Sequence, residues 1–143
     1  MSQLYPHIFA LDRKGHTMVA TCVAGDLHEL GVRMVADFFE MDGWDTFYLG
    51  ANTPHEGVIE TILERRAEVL AVSATLATHV GAVADLIAVV RASSAARGVT
   101  ILVGGHPFNE TPDLWQRVGA DATAPDAQQA VDLANRAIEG RVS

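Results

Sequence analysis

Thr17-Met18-Val19-Ala20-Thr21-Cys22-Val23, followed by Ala24-Gly25-Asp26-Leu27-His28-Glu29-Leu30-Gly31, sets the pattern that the remainder of the chain repeats. The first run is short, apolar and rich in β-branched residues, which predicts a buried strand over 17–23. The Gly25-Asp26 pair breaks that strand, and a helical pattern starts at Glu29. His28 therefore stands at the C-terminal edge of a strand that feeds a helix, the edge where open α/β sheets bind their ligands.

The same alternation repeats outward from this unit. Leu30, Met34, Val35, Phe38 and Met41 recur at helical spacing, and Asp42-Gly43 closes a first helix over 29–41. A second strand is expected over 44–49. Thr53 is expected to cap a helix that has Pro54 at its first position and runs to about Arg66. The wholly apolar Val69-Leu70-Ala71-Val72 that leads into Ser73 predicts a central parallel strand. A third helix over about 78–96 would bury Val80, Val83, Leu86, Ile87 and Val90 and end at Gly98. A fourth strand over 99–103 leads into the loop Gly104-Gly105-His106-Pro107-Phe108-Asn109, with a helix-like turn from about Pro112. A short strand over 120–123 and a helix capped by Asp126 and running to about Ile138 complete the chain. Five strands alternating with helices predict an α/β fold with a parallel sheet covered on both faces, in the flavodoxin-like (Rossmann-like) order 2-1-3-4-5. Residues 1–16 lack a period and read as an arm ahead of a single domain over 17–143.

Composition narrows the function classes. The 143 residues are 49% hydrophobic but only 6% aromatic, which suits close helix-on-sheet packing. The net charge is −8 and Lys14 is the only lysine, so the chain is not expected to bind nucleic acid directly. The lone Cys22 forms no intrachain disulfide, and neither a signal peptide nor a membrane span is evident, which points to the cytoplasm. No nucleophile elbow or Cys-His pair suggests a catalytic residue.

Asp26-x-His28 carries chemistry at this spacing. A carboxylate that accepts a hydrogen bond from one ring nitrogen leaves the other as an oriented, more basic metal ligand. Ser73, which ends the neighbouring strand, would add a hydroxyl to the same network. One histidine is too few for a structural zinc site, so the pattern points to a metal already held by a macrocycle. Gly104-Gly105 reads either as a plain turn or as the removal of two side chains where another group passes between strand and helix. His79 and His106 would face the same edge, either as exposed loop residues or as contacts to a ligand's rim. His7, His16 and His55 read as surface residues, Phe108 and Trp115 as packing, and Glu60, Glu64, Arg65 and Glu68 as a solvated helix face.

Together these features resemble the cobalamin-binding domain family, whose signature is Asp-x-His-x-x-Gly, then Ser-x-Leu, then Gly-Gly. The first element is complete in Asp26, His28 and Gly31, with Leu27 between the first two, and the last in Gly104 and Gly105. The middle one departs from the pattern, since Ser73 is followed by Ala74, Thr75 and then Leu76. The resemblance spans residues 17–139. It implies that His28 replaces the corrinoid's own dimethylbenzimidazole as the lower cobalt ligand and that Asp26 tunes it. Gly31 would let the helix start approach, Ser73 would meet the displaced nucleotide tail with Thr75 and Leu76 beside it, Gly104 and Gly105 would line the tail's channel, and His106 would border the corrin. The upper ligand, whether adenosyl, methyl or hydroxo, is left open, and the upper cobalt face is expected to meet a protein partner or a second copy.

Three functional readings follow from the resemblance. The first expectation is a sensory or regulatory module of the light-responsive, photoreceptor type, because the Ser73–Leu76 variant and the Gly104–Asn109 run look most like those domains. The alternatives are the small subunit of a cobalamin-dependent mutase and a corrinoid methyl carrier. The carrier ranks lower because residues 1–16 are too short to form the helical bundle such carriers place ahead of the domain. In each reading the domain binds and does not catalyse by itself. A flavin carrier on the same fold is disfavoured, since Asp26 and Glu29 would repel a phosphate at the first loop.

Overall fold

The computed structural model describes residues 15–23, 30–50 and 53–142. Most of the arm, together with Asp26, Leu27, His28 and Glu29, lies outside them. The elements are β1 (Thr17–Cys22), α1 (Leu30–Met41), β2 (Asp45–Leu49), α2 (His55–Arg65), β3 (Val69–Ser73), a 3-10 turn (Ala77–His79), α3 (Val80–Ala92), β4 (Thr100–Gly104), α4 (His106–Glu110), α5 (Leu114–Arg117), β5 (Ala122–Thr123) and α6 (Ala127–Val142). The sheet is five-stranded and parallel, in the order β2-β1-β3-β4-β5, a flavodoxin-like α/β fold as expected.

Strand alternation sorts the core into two layers. Val19, Leu70, Val72, Ile101 and Val103 face one side and pack against Val58 and Ile62 of α2 and Val83, Leu86, Ile87 and Val90 of α3. Met18, Ala20, Cys22, Ala71 and Leu102 face the other and pack against Val32, Ala36 and Phe39 of α1 and Ala130, Val131, Ala134 and Ile138 of α6. Each fully buried Leu, Val or Phe contributes about 1.5–3 kcal/mol of transfer free energy, so two filled layers hold the sheet's register. At the far edge from the ligand side, Trp44 Nε1–H donates to Asn135 Oδ1 at 3.1 Å and Asn135 Nδ2 donates to Asp42 Oδ2 at 2.9 Å, fastening the end of α1 to α6.

Several local expectations are corrected. The first helix does not bury Met34 and Met41, which are 49% and 54% exposed. Val32, Ala36 and Phe39, one step round the helix, meet the sheet instead. Pro54, not Thr53, is the cap residue of α2, with no side-chain cap bond, because the proline's extended backbone already sets the entry angle. The third helix ends at Ala92 rather than running to 96, as Ser93 turns to extended backbone and its hydroxyl takes the Ala96 N–H. His106–Glu110, read as loop, is a short helix with Pro107 in its first turn and Phe108 buried beneath it. His16 is half-buried rather than superficial. Its Nδ1 lies 2.8 Å from Glu68 Oε1 and its ring packs 5.4 Å from Trp44, which also takes Glu68 out of the solvated face.

Candidate functional site

The strand register assembles the site. Cys22 at the end of β1 pairs with Ser73 at the end of β3, and Ser73 pairs with Gly104 at the end of β4. The loop carrying Asp26 and His28 leaves from the β1 end of this row. The chain turns to opposite sides of β1 for β2 and β3, so the row ends at the topological switch point where such sheets form a crevice.

Beside this edge lies a cavity of about 300 Å³, roofed by α1 and the start of α6 and floored by β3 and β4. Ser73, Thr75, Gly104 and Gly105, all expected at the site, line it together. Leu76 and His106 stand outside this wall. Leu76 is exposed, and His106 points to solvent, with Nε2 3.2 Å from Glu110 Oε1. Gly31 is in the first turn of α1. A second depression of about 330 Å³, at the opposite end of the strands beside Leu63, Arg66 and Gly98, brings together none of the residues singled out in the sequence.

The two glycines differ in kind. A Cβ on Gly104 would lie 3.2 Å from the Ala124 carbonyl oxygen, so this residue lets β4 and the chain before α6 close together. Gly105 has φ +114°, and a Cβ there would overlap the Ala74 carbonyl oxygen. The turn and the close approach of the Ala74 backbone therefore both demand glycine at this position, and a bulkier residue at 105 could not leave the sheet edge intact.

The cavity is apolar for most of its surface, and Val32, Val35, Ala71, Leu102, Ala124 and Ala130 supply that lining. In the sequence Val35 and Ala71 read only as helix and strand residues, and none of the six is marked as lining a site. The available signal was a cluster of alanines at the entry to the last helix, which small-residue packing explains equally well. The polar residues are few. Asp126 is engaged as the cap of α6, accepting from the Gln129 N–H at 2.9 Å and from its Nε2 at 3.3 Å, as expected. The Ser73 hydroxyl makes no hydrogen bond among the described residues, and no basic side chain lines the wall. Nearby on the 3-10 turn, His79 keeps its buried Nδ1 without a hydrogen-bond partner among the described residues. Such an atom costs about 1–3 kcal/mol when left unpaired. An apolar slot with a free hydroxyl at its wall fits a flat, neutral, weakly polar group, such as the benzimidazole of a corrinoid tail, better than a charged one.

Comparison with known proteins agrees with this chemistry. The B12 binding domain family model matches residues 16–133. Monomethylamine corrinoid protein 1 of Methanosarcina mazei is 33% identical over 125 residues, covering 85% of this chain and 56% of its own length. A corrinoid protein of Desulfitobacterium hafniense is 31% identical over 126 residues, covering 87% of this chain and 56% of its own. The solved monomethylamine corrinoid protein of Methanosarcina barkeri superposes with a TM-score of 0.77 at 26% identity, covering 94% of this chain and 63% of its own. The chain thus spans little more than half the length of the curated relatives it matches. These relatives overturn the expected likeness to regulatory, signalling or photoreceptor-type domains, since the similarity runs to methylamine-type corrinoid proteins. They also reverse the low rank given to the carrier reading, because the relatives the chain matches are corrinoid proteins. With the motif order, the sheet topology and the edge cavity in agreement with a match over most of its length, the chain belongs to the B12 binding domain family.

Proposed function

We propose that this chain is a corrinoid methyl carrier, a module that holds cobalamin and presents it to a methyltransferase partner without catalysing by itself. The observation that carries the reading is the apolar cavity at the sheet edge, walled by Ser73, Thr75, Gly104 and Gly105 and adjoining the end of β1 from which the Asp26-x-His28 loop departs. The corrinoid relatives favour a carrier over a mutase subunit. When bound, the cofactor would supply the methyl-accepting and methyl-donating chemistry at cobalt. The remaining tasks fall to the protein.

His28 would hold the cobalt from below through one ring nitrogen, while Asp26 keeps the proton on the other and so fixes the ring's orientation. Ser73 would offer its free hydroxyl to the tail, Gly104 and Gly105 would leave that path open, and the aliphatic walls would exclude water from it. Gly31 would let the start of α1 come close, with Leu27, Thr75 and Leu76 packing around the corrinoid. His79 would satisfy its unpaired nitrogen on a polar group at the corrin's rim, with His106 bordering the same rim. The upper face would remain open to the partner. No helix among the described residues is long and apolar enough to cross a membrane. Cys22, the only cysteine, is buried and in no disulfide; a cytoplasmic setting, with residues 17–143 as the binding unit, belongs to this reading.

The test is the absorption spectrum of the chain reconstituted with methylcobalamin or hydroxocobalamin. His28→Ala is expected to lose the signature of a nitrogen ligand below cobalt, and Asp26→Asn to weaken corrinoid affinity about 10- to 100-fold. An unchanged spectrum in His28→Ala would remove His28 from the site.

A further inference from the structure

We infer that the edge cavity selects among corrinoids by their lower base, accepting an apolar benzimidazole and discriminating against a purine. The inference rests on the reading that the displaced tail enters this cavity, and it concerns what the lining does once the tail is there. Val32, Val35, Ala71, Leu102 and Ala130 form the apolar lining, and none of their side chains can donate or accept a hydrogen bond. The polar side chains of the wall are few: Asp126 accepts from Gln129 and, like Asn109, is solvent-exposed, and Thr75 already has a partner. Ser73 is left with a hydroxyl that makes no hydrogen bond among the described residues, half-buried at the end of β3.

One hydroxyl can serve one ring nitrogen. A benzimidazole that has left cobalt exposes a single such nitrogen and otherwise presents carbon, including its methyl groups, which match the aliphatic walls. An adenine base exposes an equivalent nitrogen and adds an exocyclic amine and two pyrimidine nitrogens. Pressed against these aliphatic side chains, those added groups would lose water and gain no hydrogen bond from them, and unpaired buried polar groups are what allow a site to reject a close analogue. Exposed Met34 at the cavity wall gives the slot some adaptability to shape, but offers no strong hydrogen-bonding group that would relieve this penalty.

The experiment is a set of binding titrations of the full chain, followed by absorbance, with three probes: cobinamide, which lacks the tail; cobalamin; and the cobamide whose lower base is adenine. Cobalamin is expected to bind about 10- to 100-fold more tightly than the adenine form. Val35→Thr, which adds one hydroxyl to the wall at nearly constant volume, is expected to narrow that ratio, with circular dichroism confirming its fold. Equal affinity for cobalamin and the adenine cobamide, both tighter than cobinamide, would overturn the selectivity and leave the tail's seat standing. Equal affinity for all three would overturn the tail's seat itself. A ratio unmoved in folded Val35→Thr would remove this wall from the discrimination.

Discussion

The two faces of one sheet are built from different side chains. On the α2/α3 face, Leu70, Val72, Ile87, Ile101 and Phe108 are at most 2% exposed and interlock. On the α1/α6 face, alanines at 20, 71, 124, 130 and 134 take many of the buried positions, and about 300 Å³ is left open where β3 and β4 end. Unfilled apolar space forfeits dispersion contacts and transfer free energy. The face that gives up this stabilisation is also the one whose wall holds Ser73, Gly104 and Gly105. In the proposed function, the filled face supports the sheet and the open face receives a ligand. Both are needed, because a crevice holds its shape only against a rigid sheet.

Substitutions that treat the faces as equivalent should break this contrast or sharpen it. The largest expected effect is on the filled face. Leu70→Ala should lower unfolding free energy by about 2–5 kcal/mol in a urea titration, and a loss below about 1 kcal/mol would mean that this face is no better packed than the other. Next is Gly105→Ala at the boundary. Its positive φ should cost about 1–3 kcal/mol of stability before any ligand is added. A variant as stable as the parent would show that neither the positive φ nor the close approach of Ala74 requires glycine here. The smallest stability effect is expected from Ala130→Leu, which adds volume to the open face. Unfolding free energy should stay within about 1 kcal/mol of the parent, while corrinoid affinity falls at least about tenfold. If Ala130→Leu destabilises as strongly as Leu70→Ala and leaves corrinoid affinity intact, the assignment of the two faces is wrong.

Much of this was readable from local pattern. The alternation of short apolar runs with helical periods specified the number of strands and their parallel winding, since crossover helices leave few topologies open. Asp126 was recognisable as a cap because its oxygen reaches only as far as the adjacent turn. The error over Met34 and Met41 has a definite cause: both lie at helical spacing with Phe38, and periodicity marks an apolar stripe without saying which side of it meets the sheet. The same limit hid Ala71, Leu102 and Ala130, whose role depends on what lies opposite them. The resemblance to regulatory domains failed for a related reason, since short variants such as Ser73–Leu76 sit at the ligand edge, where different members of one fold diverge.

Strand–helix order, the loop-bearing edge of the sheet and the cobalamin-type motif follow from the amino-acid order alone, because they depend on residues close together in the chain. Three-dimensional packing was needed to show that Ser73 and Gly104 stand side by side, that Gly105 is required by its positive φ and the nearby Ala74 carbonyl, and that one face of the sheet is left partly empty. Those properties arise from side chains that meet across strands and helices far apart in sequence, where volume and register, rather than local preference, set what fits.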